Sequence, residues 1–212
     1  MTKLIDIDMS KKIHKYLMSR TKLKFPTLHN AIKTNGVLTL QKKDKSDFFC
    51  HLARTVAGQQ LSTKAASTIW SRVVDASESS ETTLFDFCDT ENSQAILNCG
   101  LSKNKVRAIT ELKKAIEDQE ISVEFLDKSS QETIVSEITK LWGFGEWSAD
   151  MITLSFFGQV DVWSNGDAAL NRGMRVLSKG NPKKEKEILD AVTPYRSYFS
   201  MHIWKALDSK LL

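Results

Sequence analysis

Glycine and proline are scarce in these 212 residues, 9 and 3 respectively, and runs alternating apolar with polar residues are nearly missing. Turn-rich sandwiches and barrels need both, so those architectures are excluded. Apolar residues make up 41% of the chain, and they recur at 3.6-residue spacing among many Leu, Ile, Lys, Glu and Ala. That composition excludes disorder and predicts a soluble all-α protein. Cysteine is sparse too. Cys50, Cys88 and Cys99 are odd in number and outside any Cys-x-x-Cys pair, which predicts reduced thiols in an intracellular compartment, packed as apolar filler. No stretch approaches a membrane span, and residues 1–8 carry acids where a signal peptide needs an unbroken apolar run. The expectation is a protein of the cytoplasm or nucleoid in a bacterium or archaeon, or of the nucleus in a eukaryote. A net charge of +4 suits a polyanionic partner but decides nothing alone.

What is present is a succession of helix signals. Ser10 is placed to cap a helix carrying Ile13, Tyr16 and Leu17; Phe25-Pro26 breaks the pattern, and Leu28 and Ile32 resume it up to Asn35-Gly36. Ser46 is expected to start a stronger helix with Phe49, Leu52, Ala53 and Val56 inward. A short polar interruption at 58–62 follows, and Ser62 caps the next helix, bearing Ala66, Ile69, Trp70 and Val73. A short helix ends at Cys99-Gly100, and Ser102 caps a helix over 103–118. Lys103, Lys105 and Arg107 crowd the start of that helix, where cations are disfavoured, so they are candidates to face a phosphate chain against the commoner solvated-surface reading. Lys42, Lys43, Lys45, Lys183, Lys184 and Lys186 read as solvated faces. Ser129 with Glu132 reads as a capping box leading into Ile134, Ile138 and Leu141. A nearly all-apolar helix over about 147–157 belongs at the centre of the fold. Asp167, Asn181-Pro182 and Pro194 start the last three helices.

Between those central helices lies Leu141-Trp-Gly-Phe-Gly-Glu-Trp-Ser-Ala-Asp150. Gly143 and Gly145 allow a tight turn that bares backbone N–H groups, Phe144 packs the turn, and Ser148 offers a hydroxyl where a new helix presents its positive N-terminus. Such a turn can hold a nucleic-acid phosphate without reading sequence. Twenty residues after Trp147 stands Asp167. Following Asn165-Gly166 at a helix start, it reads by itself as a cap.

Together these segments resemble the helix-hairpin-helix DNA glycosylases, and more narrowly the 3-methyladenine DNA glycosylase II family. The resemblance rests on Gly58-Gln-Gln-Leu-Ser-Thr63, the hairpin through Leu170, and Arg196 to Trp204. It implies two helical lobes with the active site in the cleft between them: a discontinuous lobe of 1–45 and 159–212, and a bundle of 46–158 containing the hairpin at about 134–157. The additional N-terminal α/β domain of the bacterial prototype is expected to be lacking. Asp167 would be the catalytic carboxylate, stabilising an oxocarbenium-like sugar and orienting water. Trp147 and Trp204 would wall the base pocket. Met151 would line it too, a departure from the tyrosine relatives often carry there. Gln60 would wedge into the duplex beside Leu61. Bifunctional relatives carry a lysine where this chain has Trp147, so the resemblance implies base hydrolysis without strand cleavage. It implies no iron–sulfur cluster, because no cysteine follows Asp167, no catalytic metal, and at most a structural monovalent cation on hairpin carbonyls. Asp161 reads as a structural acceptor, Asp150 as a residue inside the hairpin helix, and His202 as packed. The implied partner is double-stranded DNA containing alkylated bases, bound by a monomer. A non-catalytic hairpin module and a glycosylase for other damaged or deaminated bases are the alternatives.

Overall fold

The computed structural model describes residues 3–4 and 7–212. The expectation drawn from residues 1–8 falls partly on Met1, Thr2, Ile5 and Asp6, which lie outside the described residues. The described residues form thirteen α-helices and one small antiparallel pair, so the protein is all-α as its periodicity predicts. In chain order they are β1 (Lys3–Leu4), α1 (Ile7–Thr21), α2 (Pro26–Asn35), β2 (Gln41–Lys42, paired with β1), α3 (Phe48–Gly58), α4 (Thr63–Ser79), α5 (Leu84–Phe87), α6 (Ser93–Asn98), α7 (Lys103–Glu117), α8 (Val123–Leu126), α9 (Gln131–Lys140), α10 (Glu146–Ser155), α11 (Ala168–Ser178), α12 (Pro182–Val192) and α13 (Arg196–Asp208). They fall into two compact units, one of residues 1–43 with 153–212 and one of residues 44–152.

In the first unit, α1, α2, α11, α12 and α13 close around Ile13, Leu17, Leu28, Ile32, Leu170, Met174, Tyr198, Phe199 and Ile203. Each such side chain contributes about 1.5–3 kcal/mol by leaving water. Gly173 sets how near α11 comes to α13, because a Cβ there would collide with Ile203. Ser10 does not cap α1. The helix starts earlier, at Ile7, and buries Ser10 with its hydroxyl 3.3 Å from that of Tyr198. An apolar spacing cannot distinguish a serine that caps from one whose hydroxyl finds a partner in the core.

In the second unit α3 packs against α4 and α7, burying Leu52, Val56, Val73, Ile109 and Leu112. Lys113 is 8% exposed and is neutralised by Asp89 at 2.6 Å and Glu117 at 2.9 Å. Two expected caps are corrected. Asp44, not Ser46, is the capping side chain before α3: it accepts Ser46 N–H and caps the 3-10 turn Lys45–Asp47. Ser130 caps α9 through Thr133 N–H, while the hydroxyl of Ser129 turns back to the Phe125 carbonyl. In both places a residue one or two positions away also carries a capping side chain, and local backbone geometry selects it. Ser62, Ser102 and Asn181 cap α4, α7 and α12 as expected.

Candidate functional site

Asp167 is the N-cap of α11, and it is only 8% exposed. Its Oδ1 accepts Leu170 N–H at 2.8 Å and the indole Nε1–H of Trp204, on α13, at 3.2 Å. One oxygen therefore serves both the helix end and the neighbouring aromatic. The loop before Asp167 is held firmly. Trp163 stacks on Phe199 at 5.5 Å and donates Nε1–H to Asn165 Oδ1 at 3.1 Å, and Asn171 Nδ2 donates to the Asn165 carbonyl at 2.7 Å. Asp161 is a structural acceptor: it takes Arg196 N–H at 3.0 Å and the guanidinium through Nε and Nη2 at 2.8 Å each. That pairing raises the arginine's affinity for its proton. His202 is buried and packed by Asn35, and burial, with His14 and Lys205 adding repulsion, pushes its pKa down to about 3.

The hairpin lies in the second unit. Gly143 needs to be glycine twice over: its φ is +84°, and a Cβ would stand 2.6 Å from that of Ala108 on α7. Gly145 differs, since a Cβ there would meet nothing within 4 Å of the chain. The protein's own packing gives no reason for glycine at that exposed corner. Phe144 is buried under the turn, as its composition predicts. Ser148 departs from expectation. It is 2% exposed, and its hydroxyl accepts Gln59 Nε2–H at 2.9 Å, so it braces the turn from inside. The same Gln59 nitrogen donates to the Gly143 carbonyl at 2.8 Å.

The expected wedge loop follows α3. Gln60 is exposed with φ +56°, a conformation disfavoured for any residue with a Cβ, and Leu61 is 39% exposed. Leu61 shares an open depression of about 300 Å³ with Trp147, Met151, Arg54, Thr55 and Thr63. The structure thus brings Trp147, Met151 and Leu61 together, and separately Asp167 with Trp204. Lys105 does not face outward with its neighbours. Its ammonium donates to the carbonyls of Ala57 at 2.9 Å and Gln59 at 2.8 Å, and burial lowers its pKa. Arg107 lies 4.1 Å over the Trp142 ring and pairs with Glu111. Gln59 and Arg54 were not legible as site residues. The only signal for Gln59 is an amide just beyond a helix end, where it can reach a neighbouring turn.

Among the described residues no three His, Cys, Asp or Glu side chains gather as metal ligands, and no helix is long and apolar enough to cross a membrane. Cys50, Cys88 and Cys99 are free thiols whose pKa values burial raises.

Residues 53–194 match the profile of the HhH-GPD superfamily base excision DNA repair protein. The chain is 28% identical over 204 residues to the DNA-3-methyladenine glycosylase of Saccharomyces cerevisiae, covering 89% of this chain and 69% of that one. Among solved structures it is similar to the Schizosaccharomyces pombe 3-methyladenine DNA glycosylase in complex with abasic DNA: TM-score 0.76, 22% identity, 92% of this chain and 96% of that one. It is also similar to a DNA-3-methyladenine glycosidase from Bacillus halodurans, with TM-score 0.69, 26% identity and coverage of 90% and 88%.

Proposed function

The chain belongs to the HhH-GPD superfamily of base excision DNA repair proteins, and from that premise we propose that it is a monofunctional DNA glycosylase of the 3-methyladenine DNA glycosylase II type, excising alkylated purines from duplex DNA. The observation that carries the reading is the Asp167 carboxylate fixed by Leu170 N–H and the Trp204 indole. As the glycosidic bond lengthens, the deoxyribose gains positive charge, and a carboxylate already oriented stabilises that charge without reorganising. Because Oδ1 already accepts two N–H donors, electrostatic stabilisation is favoured over proton abstraction by that atom.

Trp147 supplies the aromatic face on which an extruded base stacks, with Met151 beside it, for about 1–3 kcal/mol per base. A cationic methylated purine gains a further cation–π attraction. The hairpin corner at Gly143 and Gly145 holds the strand by its phosphates, and Gln60 with Leu61 fills the gap left by the base. Water completes the hydrolysis, so the reaction needs no cofactor, and with Trp147 where a lyase needs an amine the product is an abasic site on an intact strand. A structural monovalent cation at the hairpin is also part of the proposal. The Leu141 and Gly143 carbonyls each accept one N–H, from Phe144 and Gln59, and each keeps a second lone pair. The protein is proposed to act as a monomer.

One observation favours a second lesion class. Arg54 lines the same depression as Trp147 and Met151, and its positive charge opposes a cationic base while leaving neutral deaminated or etheno purines unaffected.

The test is incubation with duplexes each carrying one lesion, followed by assay of released base and of strand integrity. Release of 3-methyladenine or 7-methylguanine with uncut strands is expected. Binding without release of any base would reduce the protein to a non-catalytic clamp, and release of neutral lesions alone would favour the second class.

A further inference from the structure

Three elements of the second unit meet through two side chains that neither the carboxylate nor the base pocket uses. The Gln59 amide reaches across the chain to the hairpin, donating to the Gly143 carbonyl at 2.8 Å and to the Ser148 hydroxyl at 2.9 Å. The Gln59 carbonyl and that of Ala57, at the end of α3, are held by the Lys105 ammonium from the first turn of α7 at 2.8 and 2.9 Å. The next residue, Gln60, is exposed and held at φ +56°. A residue with a Cβ keeps such a conformation only where its surroundings over-determine it. Here the constraint comes from Gln59 on one side and from Leu61 N–H on the Gly58 carbonyl at 3.2 Å on the other.

From this geometry we infer that Gln59 and Lys105 are positioning residues that fix the strand-gripping hairpin and the duplex-inserting loop in one register, so that holding a phosphate sets where Gln60 and Leu61 enter the base stack. The inference rests on the proposed roles of the hairpin and of that loop. Four hydrogen bonds, two of them donated by a charged ammonium, join elements distant in sequence. Gln59 acts through its neighbours, the Gly143 carbonyl and the Ser148 hydroxyl. The burial that lowers the pKa of Lys105 also shields its two hydrogen bonds from water, which stiffens the brace.

The consequence is specific to the step that opens the duplex. A lesion paired with its normal partner needs the wedge to hold the helix open, whereas a lesion opposite an abasic analogue is already half unstacked. Gln59→Ala and Lys105→Met should therefore slow single-turnover excision of 7-methylguanine opposite cytosine by roughly tenfold, while excision opposite a tetrahydrofuran abasic analogue changes by less than about threefold. Gln59→Glu adds a polarity test, since an ionised glutamate cannot donate to the Gly143 carbonyl and a protonated one can. Its defect on the paired duplex should ease as pH falls through the carboxyl range, relative to the wild type at each pH.

A 2-aminopurine placed next to the lesion reports opening independently of chemistry, and it should brighten with wild type and less with the variants. Equal losses on both duplexes, or brightening unchanged in Gln59→Ala, would overturn the inference while leaving the glycosylase reading intact. Wild-type brightening without base release would sink that reading, and a dimmer signal in the variants would still support the brace. If wild type brightens nothing, the brace has no opening step to serve and is wrong.

Discussion

The two units solve opposite problems. In the first, the candidate carboxylate sits in a tightly packed setting: Asp167 is 8% exposed, bound by a helix end and an indole, on a helix that approaches α13 closely because residue 173 lacks a Cβ. In the second, the hairpin corner and the loop after α3 are open or strained. Gly145 faces empty space, Leu61 and Trp142 are 39% and 37% exposed, and Gln60 holds a positive φ. A charge that must meet a transition state benefits from rigid placement, whereas a surface that must meet a polymer needs to leave room for it. The comparison also explains why glycine at 143 and at 145 means two different things.

The largest way to break the first side of that contrast is Asp167→Ala. It removes both charge and cap, and base excision should fall on the order of 10²–10³-fold. Thermal unfolding should register a loss of about 1 kcal/mol for the missing cap. Next comes a pair at the hairpin. Gly143→Ala collides with Ala108 at a positive φ, so calorimetry should show about 1–3 kcal/mol lost from overpacking, with backbone strain adding to it. Gly145→Ala should leave the melting temperature nearly unchanged and weaken DNA binding. Equal effects of the two on stability would erase the distinction drawn between them.

Trp204→Phe keeps an aromatic ring but deletes the donor to Asp167, and single-turnover rates should drop roughly tenfold with little change in substrate affinity. Lost affinity at an unchanged rate would make Trp204 a pocket wall and nothing more. A fourth expectation concerns pH. His202 is neutral when folded, with a pKa pushed from 6.5 down to about 3, so between those values the unfolded chain binds the extra proton. Stability should then decline as pH falls below 6.5, by at most about 1.4 kcal/mol per pH unit. His202→Gln should flatten that slope in urea melts, with the nearby His14, whose pKa is also lowered, accounting for part of what remains. The smallest effect is expected from Gln60→Gly, which relieves the positive φ and should raise stability by about 0.5–1 kcal/mol while slowing excision from paired duplexes.

Much of the fold was legible because 3.6-residue spacing and side-chain caps are local signals. Asn35-Gly36, Ser62, Ser102 and Asn181 mark ends that the structure keeps. At the starts of α3 and α9 the sequence pointed to Ser46 and Ser129, and the structure uses Asp44 and Ser130 instead, since the choice depends on local φ and ψ. Asp167 illustrates a different limit. Spacing suggests a cap, and the hairpin with its downstream aspartate suggests a catalytic group; the structure makes it the cap and adds the Trp204 bond, which leaves no trace in sequence because 37 residues separate the partners. The bracing roles of Gln59 and Lys105 were illegible for the same reason: a side chain reaching the carbonyls of a distant turn looks like a surface amide, or like one more lysine of a phosphate-facing cluster, until the chain is folded.

The central claim is that a fixed negative charge at residue 167 drives bond breaking. Asp167→Asn tests it most directly, because asparagine still caps α11 and can still accept the Trp204 N–H while losing the charge. Measured on 7-methylguanine duplex under single turnover, with binding to an abasic-analogue duplex as control, the variant should bind within a few-fold of wild type and release base on the order of 10²–10³ times more slowly. Release at the wild-type rate would contradict the account.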